Sequence, residues 1–183
     1  MSGNAFPPRP HLTTPRLTLD ALTPADCGDY AALCRDARRN RWWGYDYREE
    51  QPHPPEEWFL QASEEDYAAG RELGLAVRLW GRCIGEVVFT HFDGHGTAEL
   101  GCRIAAAYAG HGYGTEAFAA ALAWGLKGWG LRRGVSAKCF RENHPSRHML
   151  AACMDPTGED ETYFYFEKCI QNENDMHMDI LSE

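Results

Sequence analysis

Ala105–Gly125, AAAYAGHGYGTEAFAAALAWG, is the stretch that decides how this chain folds. It follows an alternating run, Thr97 to Ile104, that reads as a strand. Glycines then stand at alternate positions, Gly110, Gly112 and Gly114, before an Ala-rich apolar run that reads as a helix. Glycine lets a backbone turn tightly and lets a ligand approach the main chain. The first helical turn carries free N–H groups and the positive end of the helix dipole, so this junction suits a phosphate or pyrophosphate. Strand, glycine loop and helix also connect ordinary packed α/β units, so the glycines alone leave both readings open.

Upstream, two more strands are expected. Glu72 to Trp80 places Leu73, Leu75, Val77 and Leu79 on one face, and Gly81-Arg82 turns the chain into Cys83 to Phe92. Asp93-Gly94 is a hairpin signal leading to the Thr97 strand. Glu86 and Glu99 each interrupt an otherwise apolar strand, a setting that fits a base or a cation contact and equally a solvent-facing or Arg-paired carboxylate. Before these strands, Pro54-Pro55 to Ala69 reads as a helix. Arg16 to Leu22 alternates as a strand, and Thr23-Pro24 starts a helix with Thr23 as N-cap. Between the helices, NRWWGYDY (Asn40 to Tyr47) crowds aromatics around Gly44. These rings either plug the space between helices or wall an acceptor pocket, with Trp43 and Tyr45 as the contacts.

Downstream, Leu131 to Phe140 reads as a strand, Pro145 to Met154 as a short helix and Thr162 to Ile170 as a last strand. Residues 1–14 and 171–183 are polar and expected to be loose tails around one domain over 15–170.

The 183 residues suit one domain, and an apolar share of 44% suffices for a full core. Lys and Arg total 18 against 27 Asp and Glu, giving −9, which argues against a duplex-binding surface. That charge suits a cationic small substrate and also a plain solvated surface. Seven cysteines at scattered spacings, with no CxxC pair, read as buried free thiols of a reducing compartment. His144 and His148 share a helix spacing that can bind zinc, but no third ligand lies near them in sequence, so no metal is expected. With no signal-peptide core and no apolar run of membrane-spanning length, the chain is expected to be cytoplasmic, with neither nucleic-acid nor membrane partners.

The order β-α-α-β-β-β-α-β-α-β, with its glycine loop after the fourth strand, resembles the GNAT acyltransferase superfamily from about Thr14 to Ile170. Ala109-Gly110-His111-Gly112-Tyr113-Gly114 lies on that family's Arg/Gln-x-x-Gly-x-Gly/Ala fingerprint. The flanking text ELGCRIAAAYAGHGYGTEA looks most like the branch of the ribosomal-protein N-terminal acetyltransferases. Glu142-Asn143-x-x-Ser146 matches that branch at the start of the next helix.

The resemblance implies a mixed α+β fold with a mostly antiparallel sheet of about six to seven strands flanked by helices. It implies an N-acetyltransferase in which an amine attacks the acetyl-CoA thioester directly. Acetyl-CoA would be held by Cys102, Arg103 and Ile104 on the strand, by Gly110, His111, Gly112, Tyr113, Gly114 and Thr115 on the loop, and by Asn143 and Ser146. Glu99 would act as base and Ser146 would meet the leaving thiolate, with Tyr163 and Tyr165 as alternative donors. Trp43, Tyr45 and Glu86 would face the acceptor, a small cationic amine or a peptide N-terminus, in a monomer or homodimer.

Five positions depart from the family pattern. Ala109 replaces the first basic or amide residue, and His111 stands where a Lys is usual. Leu150 occupies the place of a Tyr, and Cys153-Met154 that of a Gly-Phe. These departures keep open a non-catalytic CoA-binding module, and the acyl group transferred could also be longer than acetyl.

Overall fold

A computed structural model gives the structure of the protein and describes residues 6–170. The elements run β1 (Leu12–Thr13), β2 (Leu17–Asp20), α1 (Cys27–Arg35), α2 (Ala37–Asn40), α3 (Glu56–Ala68), β3 (Leu73–Leu79), β4 (Arg82–Thr90) and β5 (Thr97–Ile104). They continue with α4 (Tyr113–Trp124), β6 (Gly134–Phe140), α5 (His144–Cys153), β7 (Asp155–Glu159) and β8 (Tyr163–Lys168). The strands form one sheet in the order β1-β2-β3-β4-β5-β6-β8-β7. Every neighbouring pair is antiparallel except β5 and β6.

The sheet is covered on both faces. Leu73, Leu75, Val77, Val87, Phe89 and Leu100 form one core with Ala117, Phe118, Ala121 and Leu122 of α4. Small side chains let α4 lie close: a Cβ added at Gly125, just past the helix, would stand 2.8 Å from the Phe89 ring. The other face buries Ala76 and Cys83 beneath Tyr30, Ala31, Leu33 and Cys34 of α1 and Phe59 of α3. Burial on both faces makes β3 and β4 almost continuously buried, instead of alternating between core and solvent. At the start of α1, Thr23 donates its backbone N–H to Asp26, which the paired Arg78 guanidinium also grips.

One expectation needs correcting. Residues 6–14 are not loose: Phe6 is buried against Tyr67, Phe92 and Trp129, and Leu12–Thr13 pairs with β2 as an edge strand. The expected tails at 1–5 and 171–183 lie outside the described residues. The expected mixed α+β fold with a mostly antiparallel sheet is present, and among the described residues the sheet has eight strands because β1 and β7 extend its two edges; β7 forms from DPTGE, whose Pro and Gly hide a strand signal but are tolerated at an edge beside a bulge.

One irregularity of the sheet creates the site. Parallel β5 and β6 pair only at Thr97↔Gly134, Ala98↔Val135 and Glu99↔Ser136. Beyond Glu99 the two strands part, although each continues, β5 to Ile104 and β6 to Phe140. The β6-facing edge of β5 from Leu100 onward therefore has no strand partner, and a cleft opens in the middle of the sheet.

Candidate active site

The cleft has a volume of about 660 Å³. At one end lies the glycine loop. Gly110 and Gly112 both have φ of +80°, a left-handed backbone that favours glycine, and a Cβ at Gly110 would meet nothing within 4 Å. Open space above that loop, at the N-terminus of α4, is what an approaching phosphate requires. Tyr113, Gly114 and Thr115 continue the wall into the helix.

Along the cleft, Cys102, Arg103 and Ile104 offer the unpaired edge of β5, where an extended ligand bearing amides can add as a strand would. Opposite stand Asn143 and Ser146. Asn143 is the N-cap of α5, its side-chain oxygen accepting the Ser146 backbone N–H at 3.3 Å. The cap uses only that oxygen and leaves the Asn143 amide N–H groups and the Ser146 hydroxyl for a ligand.

The far end is roofed by the aromatic loop. Trp43 lies over Gly101 of β5 and stacks on the Arg103 guanidinium at 4.5 Å, while Trp42 packs against Phe140 of β6 at 5.6 Å. The two tryptophans thus straddle the parted strands. Tyr45, Glu72, Thr90, His91, Glu99, Lys138 and Tyr163 line this end. Glu99 is paired with the Lys138 ammonium at 3.3 Å and lies 3.9 Å from His91 Nδ1.

Three expected side-chain contacts fall elsewhere. Glu86 does not line the cleft. It is buried on the face under α1, where its carboxylate accepts from Arg103 Nε at 2.6 Å and from the Tyr30 hydroxyl at 2.9 Å. Alternation along β4 puts Glu86 on the same face as Val88 and Thr90, but deeper under the helix. The Arg103 side chain is tied into that same buried cluster with Asn40 and Cys34. His111 also turns away: its Nδ1 lies 2.9 Å from the Ala109 carbonyl and its ring stacks on Tyr113.

Glu72 was not singled out by its sequence, and no periodic signal marks it, since it precedes the first residue of β3. It makes no ion pair within 4 Å among the described residues. The residue is exposed by its solvent-accessible surface, but neighbouring atoms crowd its carboxyl and take away part of its water. That loss of water, helped by the Asp66 and Glu86 charges, pushes its pKa up to about 7. Leu150, in the place of the family's Tyr, is buried at 2% exposure, and Tyr163 is one of the tyrosines that line the cleft.

The cysteines are all free. Burial pushes the Cys102 thiol up to about 12, which removes the thiolate a nucleophile needs. Among the described residues no group of three or more His, Cys, Asp or Glu could hold a metal, and no helix is long and apolar enough to cross a membrane.

Comparison with known proteins agrees with this geometry. No curated protein matches the chain. An acetyltransferase of the GNAT family from Bacillus anthracis superposes with a TM-score of 0.72 at 20% identity, covering 87% of this chain and 98% of that one. RimJ from Mycobacterium smegmatis, in complex with CoA-disulfide, gives 0.70 at 20% identity over 87% of this chain and 86% of that one. The spermidine N-acetyltransferase from Vibrio cholerae, in complex with CoA and spermine, gives 0.69 at 17% over 85% and 96%. At these identities the likeness is one of fold. Residues 16–153 match the family described as the acetyltransferase (GNAT) domain, which is most of the chain, and with the parted strands and the glycine loop in place the chain belongs to the GNAT acetyltransferase family.

Proposed function

We propose that the chain transfers the acetyl group of acetyl-CoA to a primary amine that is cationic in solution. The observation that carries this reading is the continuity of one cleft, from the open glycine loop to an end walled by Trp43, Tyr45, Glu72 and Glu99. Donor and acceptor meet in it from opposite ends. The pyrophosphate lies on the N–H groups from Gly110 to Thr115, and the pantetheine arm runs along the β5 edge toward Asn143 and Ser146.

The chemistry needs few protein groups, because the thioester is already activated and alignment supplies much of the rate. Glu99 takes a proton from the acceptor ammonium, directly or through water. The freed amine attacks the carbonyl carbon, a C–N bond forms and the carbonyl oxygen becomes an oxyanion. The C–S bond then breaks as the carbonyl re-forms, and the proton still carried by the attacking nitrogen passes to the CoA sulfur, so the products are a neutral amide and the CoA thiol. The Ser146 hydroxyl, with the Tyr163 phenol as the alternative donor, meets the sulfur as it departs. Glu72 holds the positive charge of the acceptor beneath the aromatic roof, whose rings attract an ammonium with roughly 0.5–2 kcal/mol each. One relative of the same fold fits such an acceptor class: it is named a spermidine N-acetyltransferase and was obtained with CoA and spermine.

Release of CoA thiol, measured with acetyl-CoA and longer acyl-CoAs against polyamines, aminosugars and short peptides, tests the proposal. Turnover with acetyl-CoA and a cationic amine is expected. Turnover only with a longer acyl group, or CoA binding with no turnover on any amine, would replace it with the other two readings.

A further inference from the structure

The glycine loop lacks the basic residues its fingerprint usually carries, since Ala109 opens it and the His111 ring is turned back on its own segment. A guanidinium reaches it from far away in sequence. Arg16, just ahead of β2, donates from Nη1 to the His111 carbonyl at 2.9 Å and from Nε to Glu116 at 2.6 Å. Its guanidinium also lies 4.6 Å from the centre of the Tyr113 ring. Glu116 in the first turn of α4 accepts in addition the Thr14 hydroxyl at 2.6 Å and the Arg16 backbone N–H at 3.0 Å. The N-terminal edge of the sheet is therefore tied to the loop through one ion pair.

The direction of the His111 bond matters. In a trans peptide the C=O and the next N–H point opposite ways. Arg16 pulls the His111 carbonyl to the back of the loop, which aims the Gly112 N–H forward. Arg16 also packs directly behind that residue: a Cβ on Gly112 would meet its Nη2 at 3.4 Å. The ion pair has a second consequence. Glu116 places a carboxylate in the helix turn that would receive a phosphate, and the Arg16 charge offsets the repulsion.

We propose that Arg16 is a positioning residue for the pyrophosphate of the donor, holding the His111–Gly112 peptide so that its N–H faces the ligand and neutralising Glu116 behind it. This rests on the reading of the loop as the CoA site.

The test is calorimetric and needs no acceptor. CoA and pantetheine, which lacks the pyrophosphate, are titrated into the wild-type chain and into Arg16→Met, Arg16→Lys and Glu116→Gln. The wild type should bind CoA far more tightly than pantetheine; equal affinities would overturn the loop assignment itself. Given that preference, Arg16→Met should raise the CoA Kd about tenfold, the scale of one lost hydrogen bond to a charged group, and leave the pantetheine Kd unchanged. Arg16→Lys should recover part of the loss. Glu116→Gln removes the repulsion and leaves the Arg16 bond to the His111 carbonyl, so it should not weaken CoA, and in that background Arg16→Met should still raise the CoA Kd selectively. Should Arg16→Met fail to fold, Arg16→Lys alone should raise the CoA Kd relative to that of pantetheine. A wild type that prefers CoA, with Arg16 variants that keep the CoA-to-pantetheine ratio, would overturn the role of Arg16 alone.

Discussion

Trp43 rests on Gly101: a Cβ built on that glycine would stand 3.3 Å from Cη2 of the indole, tighter than ordinary contact. The aromatic loop and the strand beside the cleft are thus fitted to each other at a residue with no side chain. Gly101→Val should displace Trp43 and raise KM for the acceptor on the order of tenfold or more, as misplaced groups near a reacting centre do. CoA affinity, which the proposed donor site at the glycine loop would set, should change by less than about twofold. Steady-state kinetics with the best acceptor, beside CoA calorimetry, checks both.

Glu72 gives the acceptor end a titration near neutrality. Burial, then the Asp66 and Glu86 charges, raises it to about 7, with Arg103 and Arg71 opposing. Below that pH the carboxyl is neutral and holds a cation poorly; above it the carboxylate attracts one. A quaternary ammonium analogue of the acceptor, whose own charge never changes, should therefore bind more tightly as pH rises through about 7. Glu72→Gln should abolish that rise without changing the CoA Kd.

Glu99 and the overall charge make separable contributions. Glu99→Gln should lower kcat by about a hundredfold, the usual scale for a lost general base. The formal charge of −9 should steer cationic acceptors, so kcat/KM should fall as ionic strength rises. A neutral acceptor with salt-independent kcat/KM would remove the charge argument and leave the CoA site standing.

Arg78 anchors the start of α1. Its Nε donates to Asp20 at 2.6 Å and its Nη2 to Asp26 at 2.8 Å, and the Asp26 side chain is only 5% exposed. Burial alone would raise the Asp26 pKa, but hydrogen bonds from Arg78 and Thr23 outweigh it and hold the carboxyl below its ordinary value. A depressed acid lends stability that is present above the unfolded pKa, near pH 4, and is lost as pH falls through the folded one. Arg78→Met should cost about 3–5 kcal/mol at neutral pH by leaving Asp26 unpaired. Its stability should also fall less steeply on acidification than that of the wild type, which urea denaturation at several pH values measures.

Much of this fold was legible because the strands and glycines carry local signals. Thr97–Ile104, the alternate glycines and the Ala-rich helix say strand, loop and helix in their own composition. What escaped was set by distant partners. Leu12–Thr13 is a strand only because β2 lies beside it, and β7 is built from DPTGE, which has no strand propensity of its own. Glu86 and Glu99 look alike in sequence, yet α1 covers one and the parted strands expose the other to the cleft. Arg16 and Glu72 escaped for the same reason: their roles come from chain segments that sequence periodicity does not connect.

The central claim is that the cleft brings the donor thioester and an amine together for direct transfer. A single-turnover experiment with acetyl-CoA labelled in its acetyl group tests this most directly. The account predicts that the label passes to the amine at the rate of thiol release, while none stays on the protein, whether or not acceptor is present. Label accumulating on the chain before it reaches the amine, or remaining in acetyl-CoA with every amine although CoA binds, would contradict it.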